Sequence, residues 1–361
     1  MFPRSAYGRL TKRETRRVSS PNFGMLLLAL GCSIWQGCSS HPERQPQVPA
    51  GLVWSSIRQQ VQEVSASVVA VEVESQFRIE VYNHQIVNGS VVRDPTSSTG
   101  FLLLKGKAGV TSTVQNQEVY GGGVVLYQEP RHSIVLTSRH LVVVPDTVAT
   151  YYQDSLGNRT NLLYSRVIKT GSGVRVIAGG GLRRAAEVVT TDSVSDLALL
   201  TVETGGAPGM PFPLVVAYHS KVEWGDLVFA FGCPRGVKQL SLGVTSPSPY
   251  PGTFSLDAAT RFGFSGGPVL CVNDEGQLEL AGIIRGAQVN RLQYVSPPPG
   301  LLPGQYITGE DLNSLKVDEY NLVDYGVAFA IDAESIGKFF RESNGILESR
   351  GIRLPGRLLP P

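Results

Sequence analysis

Short apolar runs, more than any other feature, restrict what this chain of 361 residues can fold into. Segments rich in valine, isoleucine and leucine, each of strand length, alternate with glycine, proline, asparagine and aspartate between residues 67 and 331. This spacing is typical of an antiparallel barrel or sandwich. The predicted strands cover residues 67–73, 120–127, 133–140, 174–181, 197–203, 227–233, 267–272, 278–284 and 326–331.

Helical periodicity is found only at the two ends of this β-rich region. One predicted helix covers Trp54–Val64 and the other Ala333–Glu342, where Asp332 is a suitable N-cap. Two inserts, roughly 82–119 and 288–325, are rich in turn residues and too long for simple connections. A content of 42% hydrophobic and 17% charged residues suits a globular chain. We therefore predict one large, mainly β domain.

Residues 1–38 have the pattern of an export signal. Six basic side chains precede the apolar run Met25–Leu30, which is too short for an ordinary transmembrane helix. Cys32 and Cys38 each follow a glycine, and this resembles the lipobox of bacterial lipoproteins, in which such a cysteine is lipid-modified. We predict lipidation at Cys38, or else at Cys32, followed by a polar, proline-rich tether over 39–50. A plain signal peptide and an uncleaved anchor stay open as alternatives.

The charge and the cysteine count exclude several classes of protein. Of the 32 basic and 30 acidic residues, six and one lie in residues 1–37, so the rest has 26 and 29 and a formal charge of −3. Nucleic acid is therefore excluded as a partner, because phosphate binding needs a basic face. Besides the two leader cysteines, Cys233 and Cys271 are too few for a disulfide scaffold and lack zinc-site spacing, although a bridge between them stays open. Neither a metal nor a cofactor is predicted.

A serine surrounded by glycines is the strongest chemical signal. Ser265 lies in GFSGGP, where small residues allow a sharp loop before the next strand. His140 ends one apolar strand and Asp196 begins another. A serine hydroxyl attacks only when a base takes its proton, and the imidazole base needs an acid that holds its tautomer. We predict that His140, Asp196 and Ser265 are catalytic and that the backbone N–H groups of Gly263 and Ser265 form an oxyanion hole.

The acid of this predicted triad has a competitor four residues earlier. Asp192 lies in the same polar segment, but the apolar strand that directly follows Asp196 places the latter at the edge of a buried strand. Such a position shields the carboxylate, and it therefore favours Asp196.

With these residues in place, the chain resembles the chymotrypsin-fold serine proteases, and more narrowly the HtrA/Deg branch. The resemblance covers about residues 60–341 and rests on five blocks in the expected order. The blocks are GGGVVLYQEPRHSIVLTSRHLV, TTDSVSDLALLTVE, WGDLVFAFGCPRG, SLDAATRFGFSGGPVL and GVAFAIDAESIGKFF.

The resemblance implies an all-β fold of two packed six-stranded antiparallel β-barrels within residues 51–345. The first barrel is expected over about 60–205, the second over about 215–331 and a closing helix over 333–342, with a tail at 346–361. It also implies a serine endopeptidase that binds polypeptide substrates in the cleft between the barrels and hydrolyses them through an acyl-enzyme.

The resemblance assigns substrate binding to Ala259, Ile284, Arg285 and Gly286. Ala259 lies where trypsin-like enzymes have the base of the specificity pocket. Because no acid is present there, we expect a small or apolar residue before the cleaved bond.

Two residues depart from the family pattern near the predicted nucleophile. Phe264 replaces a small polar residue directly before Ser265, and Arg285 lies near where a small hydroxyl residue usually supports the buried aspartate. They motivate an alternative, a catalytically inactive peptide-binding or chaperone module. No PDZ domain is expected after the protease domain, and homo-oligomerisation is left open. The leader predicts export to a bacterial cell envelope, with a lipid anchor in the membrane.

Overall fold

The computed structural model describes residues 54–361, except 89, 98, 130, 154–157, 204–209, 220 and 297–315. The predicted export signal, both leader cysteines and the tether over 39–50 lie outside the described residues, as does the middle of the second insert. Within the described part of the chain, no helix combines the length and the apolar character needed to cross a membrane.

The described secondary structure is mostly strand. The helices are α1 (Trp54–Ser67), α2 (Arg139–Val142) and α3 (Ala333–Ser349). The strands of the first half are β1 (Val68–Tyr82), β2 (Ile86–Val87), β3 (Ser90–Val91), β4 (Val110–Gln128), β5 (His132–Ser138), β6 (Thr147–Gln153), β7 (Arg159–Ile177), β8 (Arg183–Asp192) and β9 (Leu197–Glu203). Those of the second half are β10 (Leu227–Gly232), β11 (Gln239–Pro247), β12 (Thr253–Leu256), β13 (Pro268–Val272), β14 (Leu278–Ser296) and β15 (Lys316–Asp332).

The strands close into two antiparallel barrels, which confirms the predicted fold class. In the first barrel the order is β1-β4-β5-β9-β8-β7, closed by pairing of β1 with β7, and β6 is added beside β7. In the second the order is β10-β11-β12-β15-β14-β13, also closed. A closed barrel leaves no unpaired edge strand, so the ladders satisfy the backbone of the core strands.

The apolar core continues from one barrel into the other. Leu126 and Leu136 of the first barrel belong to the same buried cluster as Phe231 and Ile283 of the second. Burial of apolar side chains is the main favourable contribution to folding, so the shared cluster holds the two barrels together along the cleft.

Each of the two turn-rich inserts, which are too long for simple connections, contains a paired strand segment. Residues 110–119 of β4 pair with 73–82 of β1, and 288–296 of β14 pair with 316–324 of β15. All of residues 110–119 are exposed, so this part of β4 has no buried face of the kind that marks a half-buried strand in a sequence. The strands β6, β8, β11 and β12 were not predicted either, although burial alternates along β8 and β11.

Several element ends also differ from the prediction. The strand expected over 133–140 stops at Ser138, because the Arg139 N–H donates to the Asp196 carbonyl at 2.8 Å and a helical turn begins. The strand expected to reach residue 181 stops at Ile177, before a turn in which Gly180 and Gly181 have positive φ.

The closing helix is longer than predicted, and the residues that follow it are packed against the core. Asp332 caps α3 by accepting a hydrogen bond from the Ser335 N–H at 2.8 Å, as predicted, but the helix continues past residue 342 to Ser349. The residues beyond it are not a loose tail, since Ile352 and Leu358 are buried in the core. Apolar contact with the second barrel holds this segment in place.

Candidate active site

His140 and Asp196 lie against each other at one wall of the cleft. The imidazole Nδ1 is 2.6 Å from Asp196 Oδ2, and the His140 backbone N–H donates to Asp196 Oδ1 at 2.9 Å. A carboxylate can only accept here, so Nδ1 carries a hydrogen, and in the neutral ring Nε2 is the nitrogen with the free lone pair. The His140 side chain is 44% exposed and the Asp196 side chain 12% exposed, so the base is open to the cleft and the acid is shielded.

The turn between β8 and β9 explains why Asp196, and not Asp192, meets the histidine. Asp192 accepts hydrogen bonds from the N–H groups of Val194 and Ser195 and from the Ser195 hydroxyl, so both of its oxygens serve the turn itself. Partial burial opposes ionisation of Asp192, but these hydrogen bonds outweigh it and lower its pKa. The turn then leaves Asp196 free to face His140.

Ser265 lies in the loop between β12 and β13, at the end of a tight turn. The Phe264 N–H donates to the Arg261 carbonyl at 3.0 Å, and Gly263 has a φ of 102° at the third position of this turn. That position requires a positive φ, as glycine allows. A Cβ at Gly263 would also lie 2.5 Å from the Cα of Pro234, so the glycine is required by space as well.

The turn leaves two backbone donors without a protein partner beside Ser265. Among the described residues, neither the Gly263 N–H nor the Ser265 N–H has a hydrogen-bond partner, whereas the Gly263 carbonyl accepts from the Cys233 N–H at 2.7 Å. Fixed N–H groups without a protein partner can stabilise an oxygen that becomes negatively charged.

The glycines that begin the histidine block form a platform under this loop. The Gly122 N–H donates to the Ser265 carbonyl at 2.8 Å, and a Cβ at Gly122 would lie 2.7 Å from the Cα of Gly267. A side chain at Gly122 would therefore separate the barrels. The hydroxyl of Ser138 adds a second link across the cleft by donating to the Ile284 carbonyl at 3.0 Å.

The Ser265 hydroxyl and the His140 ring line the same cleft, which has a volume of about 1300 Å³. The hydroxyl donates to the carbonyl of Arg285 at 3.3 Å. Arg285 lies at a bulge in β14, where the pairing with β15 shifts between Ile284 and Gly286. This bulge turns the Arg285 carbonyl toward the Ser265 hydroxyl.

The side chain of Arg285 does not disturb the acid. It is exposed, and within the described residues it forms no ion pair with Asp196. Phe264 is also accommodated: its ring is 2% exposed in the core, in the space that Gly232 leaves open. A Cβ at Gly232 would lie 2.4 Å from Cγ of Phe264.

All four predicted substrate-binding residues line the cleft. They are Ala259, Ile284, Arg285 and Gly286. Other residues that line the cleft, among them Tyr120, Arg235 and Arg261, were not predicted from the sequence. Nothing local distinguishes these from ordinary surface residues. Two of the five sequence blocks contain such a residue: WGDLVFAFGCPRG contains Arg235, and SLDAATRFGFSGGPVL contains Arg261.

Comparisons with known proteins found one matching family and similar solved structures. Residues 121–283 match the family described as trypsin-like peptidase domain. Over that segment, which includes His140, Asp196 and Ser265, the chain is similar to trypsin-like peptidases. A crystal structure of the serine endoprotease from Yersinia pestis is similar with a TM-score of 0.42 and 17% sequence identity, over 82% of this chain and 67% of that chain. None of the curated proteins searched matches the chain.

Proposed function

We propose that the protein is a serine endopeptidase in which Ser265, His140 and Asp196 form the catalytic triad. One observation carries the proposal: the 2.6 Å contact of His140 Nδ1 with Asp196 in the cleft that Ser265 also lines. The match of residues 121–283 to trypsin-like peptidases supports the same reaction class.

The proposed reaction proceeds through an acyl-enzyme. His140 Nε2 takes the proton of the Ser265 hydroxyl as the oxygen forms a bond to the substrate carbonyl carbon. The N–H groups of Gly263 and Ser265 stabilise the oxyanion, and the imidazolium then protonates the departing amine as the C–N bond breaks. Water, deprotonated by the same imidazole, cleaves the ester and restores Ser265. To enter this sequence, the Ser265 hydroxyl exchanges its contact with the Arg285 carbonyl for one with His140.

We further propose the HtrA/Deg type, polypeptide substrates from the cell envelope or misfolded proteins, and a lipid anchor at Cys38 or Cys32 on an exported protein. The five sequence blocks support the subtype, and the basic and apolar leader supports export. The open, small lining at Ala259 supports a small or apolar residue before the cleaved bond.

A fluorophosphonate probe tests the proposed nucleophile directly, because it reacts covalently with an activated serine. We expect labelling of Ser265, complete loss of labelling in Ser265→Ala and strongly slowed labelling in His140→Ala. Labelling that is unchanged in Ser265→Ala, or none in the folded wild-type protein, would contradict the proposal.

A non-catalytic peptide-binding module is the second candidate. The observation that favours it is the hydrogen bond of the Ser265 hydroxyl to the Arg285 carbonyl, since within the described residues no hydrogen bond joins Ser265 to His140. Peptide affinity that survives Ser265→Ala, together with no cleavage by the wild-type protein, would favour this candidate. Measurable turnover that depends on Ser265 would exclude it.

A further inference from the structure

Three arginines surround the serine loop on three different segments. We propose that Arg235, Arg261 and Arg285 form a basic rim that selects polypeptides with acidic side chains near the cleaved bond. The inference rests on the proposed peptidase function, which it deepens by naming a substrate class. All three residues line the cleft that Ser265 and His140 also line.

Contacts tie each arginine to the nucleophile's loop. The Arg285 carbonyl accepts the Ser265 hydroxyl, and the Arg261 carbonyl accepts the Phe264 N–H within the serine turn. Arg235 lies in the turn of residues 234–236, and the first residue of that turn packs against Gly263. The backbone positions of the three arginines are therefore fixed relative to the reacting oxygen.

The three guanidinium groups are available to a ligand. All three residues are exposed, and within the described part of the chain none of their guanidinium groups forms an ion pair or a hydrogen bond. Guanidinium groups stay charged at all ordinary pH values and have a geometry that matches carboxylates.

The opposite charge is sparse in the same lining. Glu118 is the only carboxylate residue among the described cleft-lining residues, and its Oε2 already accepts the Tyr120 hydroxyl at 3.2 Å. A cleft lined mainly by one sign of charge concentrates ligands of the other sign. Outside residues 1–37 the chain has 26 basic and 29 acidic residues, so the basic rim contrasts with the net charge of the protein around it.

The position of the rim favours a polypeptide over other anions. The three arginines line one cleft together with Ser265. Nucleic-acid binding instead needs a basic surface long enough to follow a phosphate backbone. A peptide seated at Ser265 can bring glutamate and aspartate side chains to the rim from positions near the cleaved bond other than the one directly before it.

Binding to the full-length Ser265→Ala variant tests the rim without any need for cleavage. The probes are a fluorescein-labelled peptide that contains several glutamates and the same peptide with glutamine in their place, and the readout is fluorescence anisotropy. We expect the acidic peptide to bind about tenfold more tightly at about 0.05 M salt, and the preference to shrink at about 0.5 M salt because exposed charges are screened.

Substitution of the arginines assigns the preference to the rim. Each of Arg235→Gln, Arg261→Gln and Arg285→Gln should weaken acidic-peptide binding by about two- to fivefold, and the triple variant should bind both peptides equally. Arg353→Gln is the matched control, because Arg353 is exposed and lies outside the cleft lining. All four substituted side chains are exposed, so the fold is expected to be retained, and thermal unfolding checks this.

Any of three results would contradict the proposed rim. The first is equal binding of the two peptides to the Ser265→Ala variant with all three arginines present, and the second is a preference for the acidic peptide that persists in the triple variant. The third is tighter binding of a single-stranded oligonucleotide of matched charge than of the acidic peptide. Failure of the peptidase proposal would give a different result. If the protein bound the acidic peptide through these arginines but did not react with the fluorophosphonate, the rim would be supported and the catalytic function contradicted.

Discussion

Asp196 combines an unusual backbone conformation with two hydrogen bonds to a single partner. Its φ of 58° is left-handed, a region that aspartate tolerates better than most residues. In this conformation one carboxylate oxygen accepts the His140 backbone N–H and the other accepts the ring. The Asp196 carboxylate, held in place by this backbone conformation, therefore orients the imidazole and stabilises a positive charge on it.

We expect Asp196→Asn to lower the rate of reaction with a fluorophosphonate by about 10³- to 10⁴-fold, because an amide no longer holds the imidazole in the tautomer that leaves Nε2 unprotonated. Asp192→Asn is the control in the same turn and should change the rate only a few-fold. Equal losses in the two variants would show that the effect comes from the turn and not from the contact with His140.

Phe264 is a core residue directly before Ser265 in the chain. Its ring is buried and fills the space beside Gly232. A large apolar side chain is therefore compatible with the serine turn as long as residue 232 has no side chain.

We expect Phe264→Ala to lower the free energy of unfolding by about 3–5 kcal/mol, since it removes a buried ring and leaves a cavity. Phe262→Ala in the same turn should cost less than about 1 kcal/mol, because Phe262 is 76% exposed. Chemical denaturation of both variants measures the difference. A small loss in Phe264→Ala would mean that the ring is not part of the core in solution.

At the scale of elements, β4 is the strand through which the first barrel closely contacts the serine loop. Its glycines bring the backbone of the first barrel against the serine loop of the second, and the Gly122 N–H holds the Ser265 carbonyl. The loop thus receives its position from both barrels, although only the second barrel contains it.

We expect Gly122→Ala to slow fluorophosphonate labelling by about 10²-fold. The new Cβ would lie 2.7 Å from the Cα of Gly267 and displace the loop, and a displacement of about 1 Å at a reacting group has a cost of this order. Gly171→Ala in β7 is the control, since no atom lies within 4 Å of its Cβ position. A wild-type labelling rate in Gly122→Ala would show that the serine loop does not depend on this close contact with β4.

At the scale of the whole molecule, the second barrel buries two free thiols and is covered by the carboxyl-terminal segment. Cys233 and Cys271 are unpaired, and burial raises the pKa of each thiol from an ordinary value of 9.0 to about 12. Burial also raises the pKa of Tyr218, whose hydroxyl donates to the Leu358 carbonyl at 2.7 Å.

These shifts predict a loss of stability at alkaline pH. Because the thiols ionise near pH 9.0 when unfolded and near pH 12 when folded, the free energy of unfolding should be unaffected by them below about pH 9 and fall between about pH 9 and about 12. Urea denaturation against pH measures this decline. The double variant Cys233→Ala, Cys271→Ala should show a shallower one, and an identical decline would contradict the prediction.

The sequence by itself determined the strand-rich fold class and the candidate triad, because both depend on local signals. Alternating apolar runs mark strands wherever one face is buried. A glycine-flanked serine, together with a histidine and an aspartate at strand ends, predicts nucleophilic catalysis by serine. It also indicated Asp196 over Asp192, since a buried strand follows directly.

Only the tertiary structure decided how the departures from the family pattern are accommodated. Three such relations join segments that are distant in the sequence. Phe264 packs beside Gly232, and the Arg285 carbonyl faces Ser265 while the Arg285 side chain is exposed. Arg235 and Arg285 line the same cleft. Residues 110–119 became strand for the same reason: pairing with β1 supplies hydrogen bonds that no local pattern announces. Periodicity reports which side of an element is buried, whereas contact across the cleft depends on how two closed barrels pack.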